Sequence, residues 1–159
     1  MRIPLDVRMY SEGLKPFVTV HLKIPKQKVR GSIIRGIFWP FIDTGSPFTV
    51  ISQTDAKRLR IKYSGKPRKI WFGGAQLHSY DVKGVELKVV YEDRKTICDI
   101  SMPTIGVIQP IPNVKLSYDV AKAIPSVIGV DLLKRHRFAL YFDAHNEISY
   151  LEKVQKINR

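Results

Sequence analysis

Apolar and polar residues alternate with a period of two along several short stretches of this chain. The clearest stretch covers residues 18–24, where Val, Val, Leu and Ile alternate with Thr, His and Lys. This period is typical of a strand with one buried face. Glycine and proline, ten of each, separate the stretches and so keep the strands short. The further candidate strands are 33–42, 69–72, 76–80, 85–92, 97–102, 138–142 and 148–151. Many short strands predict an all-β fold, as a closed or folded-over sheet.

The same sequence allows only one or two short helices. Ser52 or Thr54 can cap a helix at 55–59, in which the acid lies near the start and the bases near the end. A second short helix is predicted at 131–136, with a helical turn as a further candidate at 118–122.

The length of 159 residues predicts one domain over 1–159. Residues 1–16 are interpreted as an N-terminal extension of that domain. Residues 103–125 contain four prolines and are predicted to form a long loop.

The chain is strongly basic, with 27 Lys and Arg against 14 Asp and Glu, a net charge of +13. Residues 13–42 hold six basic residues and 56–80 hold seven, without an acid in either block. Such blocks can bind nucleic acid, with Trp71, Phe72 and Tyr80 as stacking groups. The alternative is an ordinary solvated basic surface.

Several classes of site are not expected. Cys98 is the single cysteine, so neither an intrachain disulfide nor a cysteine zinc site is predicted, and its apolar strand favours a buried role. The four histidines lack metal-ligand spacing, and no phosphate-binding glycine loop is present. We therefore expect no metal and no cofactor. No apolar run approaches the roughly 20 residues of a membrane span, and a cytoplasmic location without membrane contact is expected.

One polar interruption stands out between two apolar segments. Asp43, Thr44, Gly45 and Ser46 follow Trp-Pro-Phe-Ile and precede Pro-Phe-Thr-Val. A buried carboxylate is costly without hydrogen-bond donors, and the two hydroxyls and the Gly45 N–H are placed to donate. Gly45 also lets the backbone turn close to the acid. The alternative is a plain Asp-Gly type turn in a hairpin.

A second segment follows about 80 residues later, with Val127, Ile128, Gly129 and Asp131 in an apolar context before a predicted helix and hairpin. Together the two segments resemble the retropepsin-like aspartic proteases. In that family an apolar strand ends in Asp-Thr-Gly-Ser/Ala, and a later hydrophobic-hydrophobic-Gly-x-Asp-x-Leu segment opens a short helix. The resemblance covers residues 17–151 and implies a closed β-barrel that acts as a two-fold homodimer.

The resemblance implies a role for each residue of the first segment. Asp43 would be catalytic, and as the only Asp-Thr-Gly of the chain it would pair with Asp43 of a second chain. Thr44 would hydrogen-bond across the dimer axis, and Ser46 would bond the outer oxygen of Asp43. Gly45 would support the turn.

The resemblance also implies a flap formed by Trp71, Phe72, Gly73 and Gly74, which would close over an extended peptide. The glycines would let the flap backbone approach the substrate. For Trp71 and Phe72, packing in the core is the alternative.

The later segment is interpreted as mainly structural. Gly129 would permit close packing behind the active-site loop, and Asp131 would cap the following helix. Val127 and Ile128 would either line the substrate cleft or belong to the core.

These features predict an aspartic endopeptidase that acts on extended or unfolded polypeptide in mildly acidic conditions. One alternative is an inactive dimer that keeps the scaffold for binding. Another is a basic β-domain that binds nucleic acid through residues 23–35 and 57–69.

Overall fold

A computed structural model describes residues 1–11 and 13–155. These residues form twelve strands and three helices. The strands are β1 (Arg2–Tyr10), β2 (Gly13–Phe17), β3 (Val20–Val29), β4 (Ser32–Phe38), β5 (Phe41–Ile42), β6 (Val50–Ile51), β7 (Arg68–Phe72), β8 (Ala75–Val90), β9 (Ile97–Pro110), β10 (Val127–Ile128), β11 (Phe138–Asp143) and β12 (Ile148–Lys153). The helices are α1 (Gln53–Arg58), α2 (Lys115–Ala123) and α3 (Val130–His136). The predicted all-β class is confirmed.

The strands form one open sheet in the order β11-β12-β1-β2-β5-β10-β6-β9-β8-β3-β4, with β7 added on β8. The predicted closed barrel is wrong, because among the described residues β11 and β4 end this order and do not pair with each other. A helix side chain contacts one of these ends. The Arg58 guanidinium, from the last residue of α1, donates to the Ile37 carbonyl of β4 over 2.7 Å.

The apolar faces pack into a large and a small buried cluster. The large cluster lies among β3, β4, β8, β9 and the C-terminal elements, and includes Leu22, Ile24, Val85, Leu87 and Leu132. The small cluster lies around β5 and β10, and it comprises Phe17, Phe41, Val50, Leu77, Ile108, Ala121 and Val127. This small cluster supports the candidate site described below.

The helices at 55–59 and 131–136 are confirmed as α1 and α3. Ser52 is the N-cap of α1, and its hydroxyl accepts the N–H of Asp55 over 3.1 Å. Three helices form instead of one or two, because the predicted turn at 118–122 is part of the nine-residue α2.

The prediction of a long loop over 103–125 is wrong. β9 continues to Pro110, and α2 follows it. The buried Ser117 attaches this helix to the sheet: its hydroxyl accepts the Ile111 N–H and donates to the Gln76 carbonyl, each over 2.8 Å. These bonds hold α2 against β8.

The first 16 residues are not a separate extension. β1 pairs with β12 through Arg2–Leu5 and with β2 through Asp6–Tyr10. This segment therefore belongs to the sheet.

Cys98 is buried in β9, as predicted. The neighbouring Cys98 thiol, together with burial, raises the pKa of Tyr91 from 10.0 to about 12. In the described part of the chain, none of the helices has the length and apolar character to cross a membrane.

The raised pKa of Tyr91 predicts a loss of stability in alkali. Its contribution is complete below about pH 10 and disappears as the pH rises through about 12, because the unfolded state releases this proton first. Urea unfolding between these pH values should show a smaller decline in the free energy of unfolding for Tyr91→Phe than for the wild type. Equal declines in the two proteins would contradict a raised pKa of Tyr91.

Candidate active site

Asp43 follows β5 directly. Its position is fixed by β10, a strand that lies about 80 residues later in the sequence. β10 lies between β5 and β6 and runs parallel to β5, with Val127 opposite Phe41 and Ile128 opposite Ile42. The Asp43 N–H extends this ladder by donating to the Ile128 carbonyl over 3.0 Å. The half-buried acid therefore starts from a fixed point on the sheet.

The loop from Asp43 to Ser46 is closed by its own hydrogen bonds. The Gly45 N–H donates to Asp43 Oδ1 over 2.9 Å, as predicted, and the Ser46 N–H donates to the Asp43 carbonyl over 3.1 Å. The Ser46 hydroxyl, predicted to bond the outer oxygen of Asp43, instead donates to the Phe48 carbonyl over 2.8 Å. Thr44 is exposed, and its bond across a dimer axis stays a prediction.

Gly129 lies directly behind this loop. A Cβ added to Gly129 would lie 2.5 Å from the carbonyl carbon and oxygen of Phe48 and 2.8 Å from the Ser46 carbonyl oxygen. Real side chains do not approach backbone atoms this closely, so the predicted packing role of Gly129 is confirmed. The Val130 N–H adds a hydrogen bond of 2.8 Å to the Ser46 carbonyl.

Thr49 and Asp131 join the loop to the start of α3. The buried Thr49 hydroxyl donates to Asp131 Oδ1 over 2.7 Å and accepts the Gly129 N–H over 3.1 Å. The prediction that Asp131 caps α3 is wrong, because Asp131 lies within the first turn of the helix, where its carboxylate accepts the Leu132 N–H over 2.8 Å. The N-cap position itself is Gly129. Sequence reasoning missed Thr49, whose only signal is a hydroxyl at the edge of an apolar strand.

Val127 and Ile128 belong to the core. Their side chains are 0% and 2% exposed, and neither lines the cleft beside Asp43. Of the two predicted alternatives, the structural one is confirmed.

A cleft of about 300 Å³ brings Asp43 together with part of the predicted flap. The predicted residues that line it are Asp43, Gly45, Ser46, Trp71, Phe72 and Gly73. Thr44 and Gly74 do not line it. Two segments far apart in the sequence therefore share one concave site.

The predicted flap is the hairpin of β7 and β8. Gly73 and Gly74 form its turn with φ of +58° and +83°, the left-handed conformations that a tight two-residue hairpin requires. Trp71 is 72% exposed, so core packing does not hold for it, whereas Phe72 is half-buried against the small cluster. The tip lies against the C-terminal end of α2, since a Cβ on Gly73 would lie 3.0 Å from the Val120 side chain and 2.6 Å from that of Ile124, which follows the helix.

The remaining lining residues were missed by the sequence analysis: Tyr10, Phe41, Pro47, Ile124 and Pro125. Tyr10 stacks on Phe41 with 6.2 Å between ring centroids, and its hydroxyl donates to the Ala123 carbonyl. Burial raises the pKa of Tyr10, which keeps it neutral. Tyr10 belongs to residues 1–16, predicted as an N-terminal extension. Ile124 and Pro125 belong to residues 103–125, predicted as a loop. No local pattern connects either segment to Asp43.

Asp43 is the only carboxylate among the described residues that line this cleft. One chain therefore places a single acid in a largely apolar concavity. Within 1–11 and 13–155, no group of three His, Cys, Asp or Glu is arranged to hold a metal ion.

Acids from other strands partly neutralise the two basic blocks. Lys23 pairs with Glu86 over 3.1 Å, and Arg68 pairs with Asp81 over 3.0 Å.

The aromatic residues predicted to stack on bases do not lie together. Phe72 faces the cleft, whereas Tyr80 packs on Tyr63 with ring centroids 5.0 Å apart.

No protein-family model and no curated protein sequence matches this chain.

The close approach at Gly129 predicts that Gly129→Ala is destabilising. The added methyl must displace the Phe48 backbone, and we expect a loss of about 2 kcal/mol in the free energy of unfolding. Gly13→Ala is the matched control, because its Cβ meets nothing within 4 Å. Denaturant unfolding of both variants measures the difference, and equal stabilities would contradict the packing role.

Proposed function

We propose that this chain is one half of an aspartic endopeptidase, and that two copies together hydrolyse peptide bonds in extended or unfolded polypeptides. The observation that carries the proposal is the position of Asp43. Of the residues that the structure describes, it is the sole carboxylate lining a cleft that a glycine-tipped hairpin also lines.

Aspartic proteolysis requires two carboxylates about 3 Å apart that share one proton. The ionised carboxylate removes a proton from water, whose oxygen attacks the scissile carbonyl carbon. The other carboxylic acid donates its proton to the carbonyl oxygen. As the tetrahedral intermediate collapses and the C–N bond breaks, one of its hydroxyls returns a proton to the ionised carboxylate, and the leaving nitrogen takes the proton that the other carboxylate removed from water.

Self-association supplies the second acid in this proposal. An isologous two-fold contact places the same residue of both chains at the axis. Thr44 and Gly45 are exposed next to Asp43, so this loop is open to a second copy. The rigid support of the loop by Gly129 and Thr49 favours a reproducible distance between the two acids.

The walls of the cleft suit an extended peptide. Tyr10, Phe41 and Phe72 provide apolar surface, and the turn of β7 and β8 brings backbone near the acid. Extended chains bind such grooves through main-chain hydrogen bonds and alternate side-chain pockets.

Asp43→Asn should abolish proteolysis while the fold remains intact. Cleavage of a denatured protein between about pH 4 and about pH 6 should fall at least a thousandfold, to about the uncatalysed rate. Asp99→Asn is the matched control, since it makes the same change at an exposed position paired only with Lys88.

Full cleavage by Asp43→Asn would overturn the proposal. Undetectable cleavage by the wild type, with the peptide still bound, would favour the alternative of a binding module.

Mixing wild-type and Asp43→Asn chains tests whether the site needs two copies. With free exchange at equal amounts, activity per wild-type chain should fall to about one half, because about half of the wild-type chains then have an inactive partner. Sedimentation should give twice the chain mass of 18.3 kDa. Activity that mixing leaves unchanged, or an active monomer, would contradict a shared site.

A further inference from the structure

A second cavity, remote from the candidate active site, lies where α3 and β12 end. Its volume is about 400 Å³. It shares no lining residue with the cleft at Asp43. The residues that line it are Arg135, His136, Arg137, Lys153, Val154 and Gln155.

The charges around this cavity are of one sign. Arg135, Arg137 and Lys153 are exposed cations, and no carboxylate is among the described lining residues. Over 1–11 and 13–155, none of these three has an acid within salt-bridge distance. The neighbouring acid, Glu152, points to the opposite face of β12 and pairs with Arg2.

The backbone holds these cations in place. Arg137 adopts a left-handed conformation with φ of 56°, and its N–H donates to the Leu133 and Lys134 carbonyls. Its carbonyl accepts the Val154 N–H over 2.8 Å, which joins α3 to the end of β12. The imidazole of His136 is fixed by a 3.0 Å contact between Nε2 and the Ser101 carbonyl.

The helix dipole explains only part of this cluster. Basic residues in a last helical turn interact favourably with the C-terminal end of the dipole. Lys153 belongs to β12, however, and adds its charge to the same cavity from another element.

We propose that this cavity binds backbone phosphate groups of a nucleic acid. Guanidinium groups offer paired donors that match phosphate oxygens, and two guanidiniums and an ammonium here surround one concavity. The net charge of +13 attracts a polyanion over longer distances. The proposal assigns the contact to the end of α3 rather than to the basic blocks 23–35 and 57–69, in which Lys23, Arg58 and Arg68 are paired with acids.

The test is binding of a fluorescein-labelled 20-nucleotide oligothymidine to the full chain, followed by anisotropy over a series of salt concentrations. Arg137→Gly removes one cation and places glycine in a conformation that it favours, so its thermal stability should equal or exceed that of the wild type. Its affinity should fall about fivefold at low salt, and the slope of log affinity against log salt should decrease in magnitude by about 0.7.

Arg60→Gly is the matched control. Arg60 has φ of 57° just after α1, so the substitution removes the same charge from the same conformation away from the cavity. It should change the affinity less than twofold. Equal losses for the two variants, or no binding by the wild type, would overturn the proposal. If Arg137→Gly is less stable than the wild type, the affinities of Arg135→Ala and Lys153→Ala for the oligothymidine are compared with that of Arg60→Gly instead. Losses no larger than that of Arg60→Gly would overturn the proposal.

Discussion

The arrangement of the candidate site depends on the insertion of β10 between β5 and β6. Two residues, Val127 and Ile128, complete the ladder on both sides and are fully buried in doing so. The hydrogen bond from the Asp43 N–H to the Ile128 carbonyl then fixes the first residue after β5. Since the two segments are about 80 residues apart, the site forms only when the sheet is assembled.

The insertion of β10 depends on close contacts just after the strand, at Gly129, where the backbones of two segments cross. Gly129 is the point where the chain leaves β10 and passes against Phe48. The Thr49 hydroxyl and the Asp131 carboxylate satisfy the polar groups at this crossing. The half-buried Asp131 carboxylate and the buried Thr49 hydroxyl bond each other and two N–H groups, and among the described residues no buried side-chain polar atom lacks a partner.

Local features could be predicted from the sequence, and long-range ones could not. The period-two strands, the capped helix α1 and the turn at Gly73 follow from short-range patterns, and all are present. The four prolines of 103–125 favour a loop, and this prediction fails because Pro103 and Pro110 lie within β9. The bonds of Ser117, which hold α2, join residues up to 41 positions apart and leave no trace in a local pattern.

The division of β1 between two partners affects both ends of the molecule. Its first half completes the C-terminal hairpin, and its second half ends at Tyr10, one wall of the cleft. A nine-residue strand thereby connects the order of the last hairpin to the shape of the cleft at Asp43. Loss of the N-terminal residues would remove this wall of the cleft and leave Asp43 itself in place.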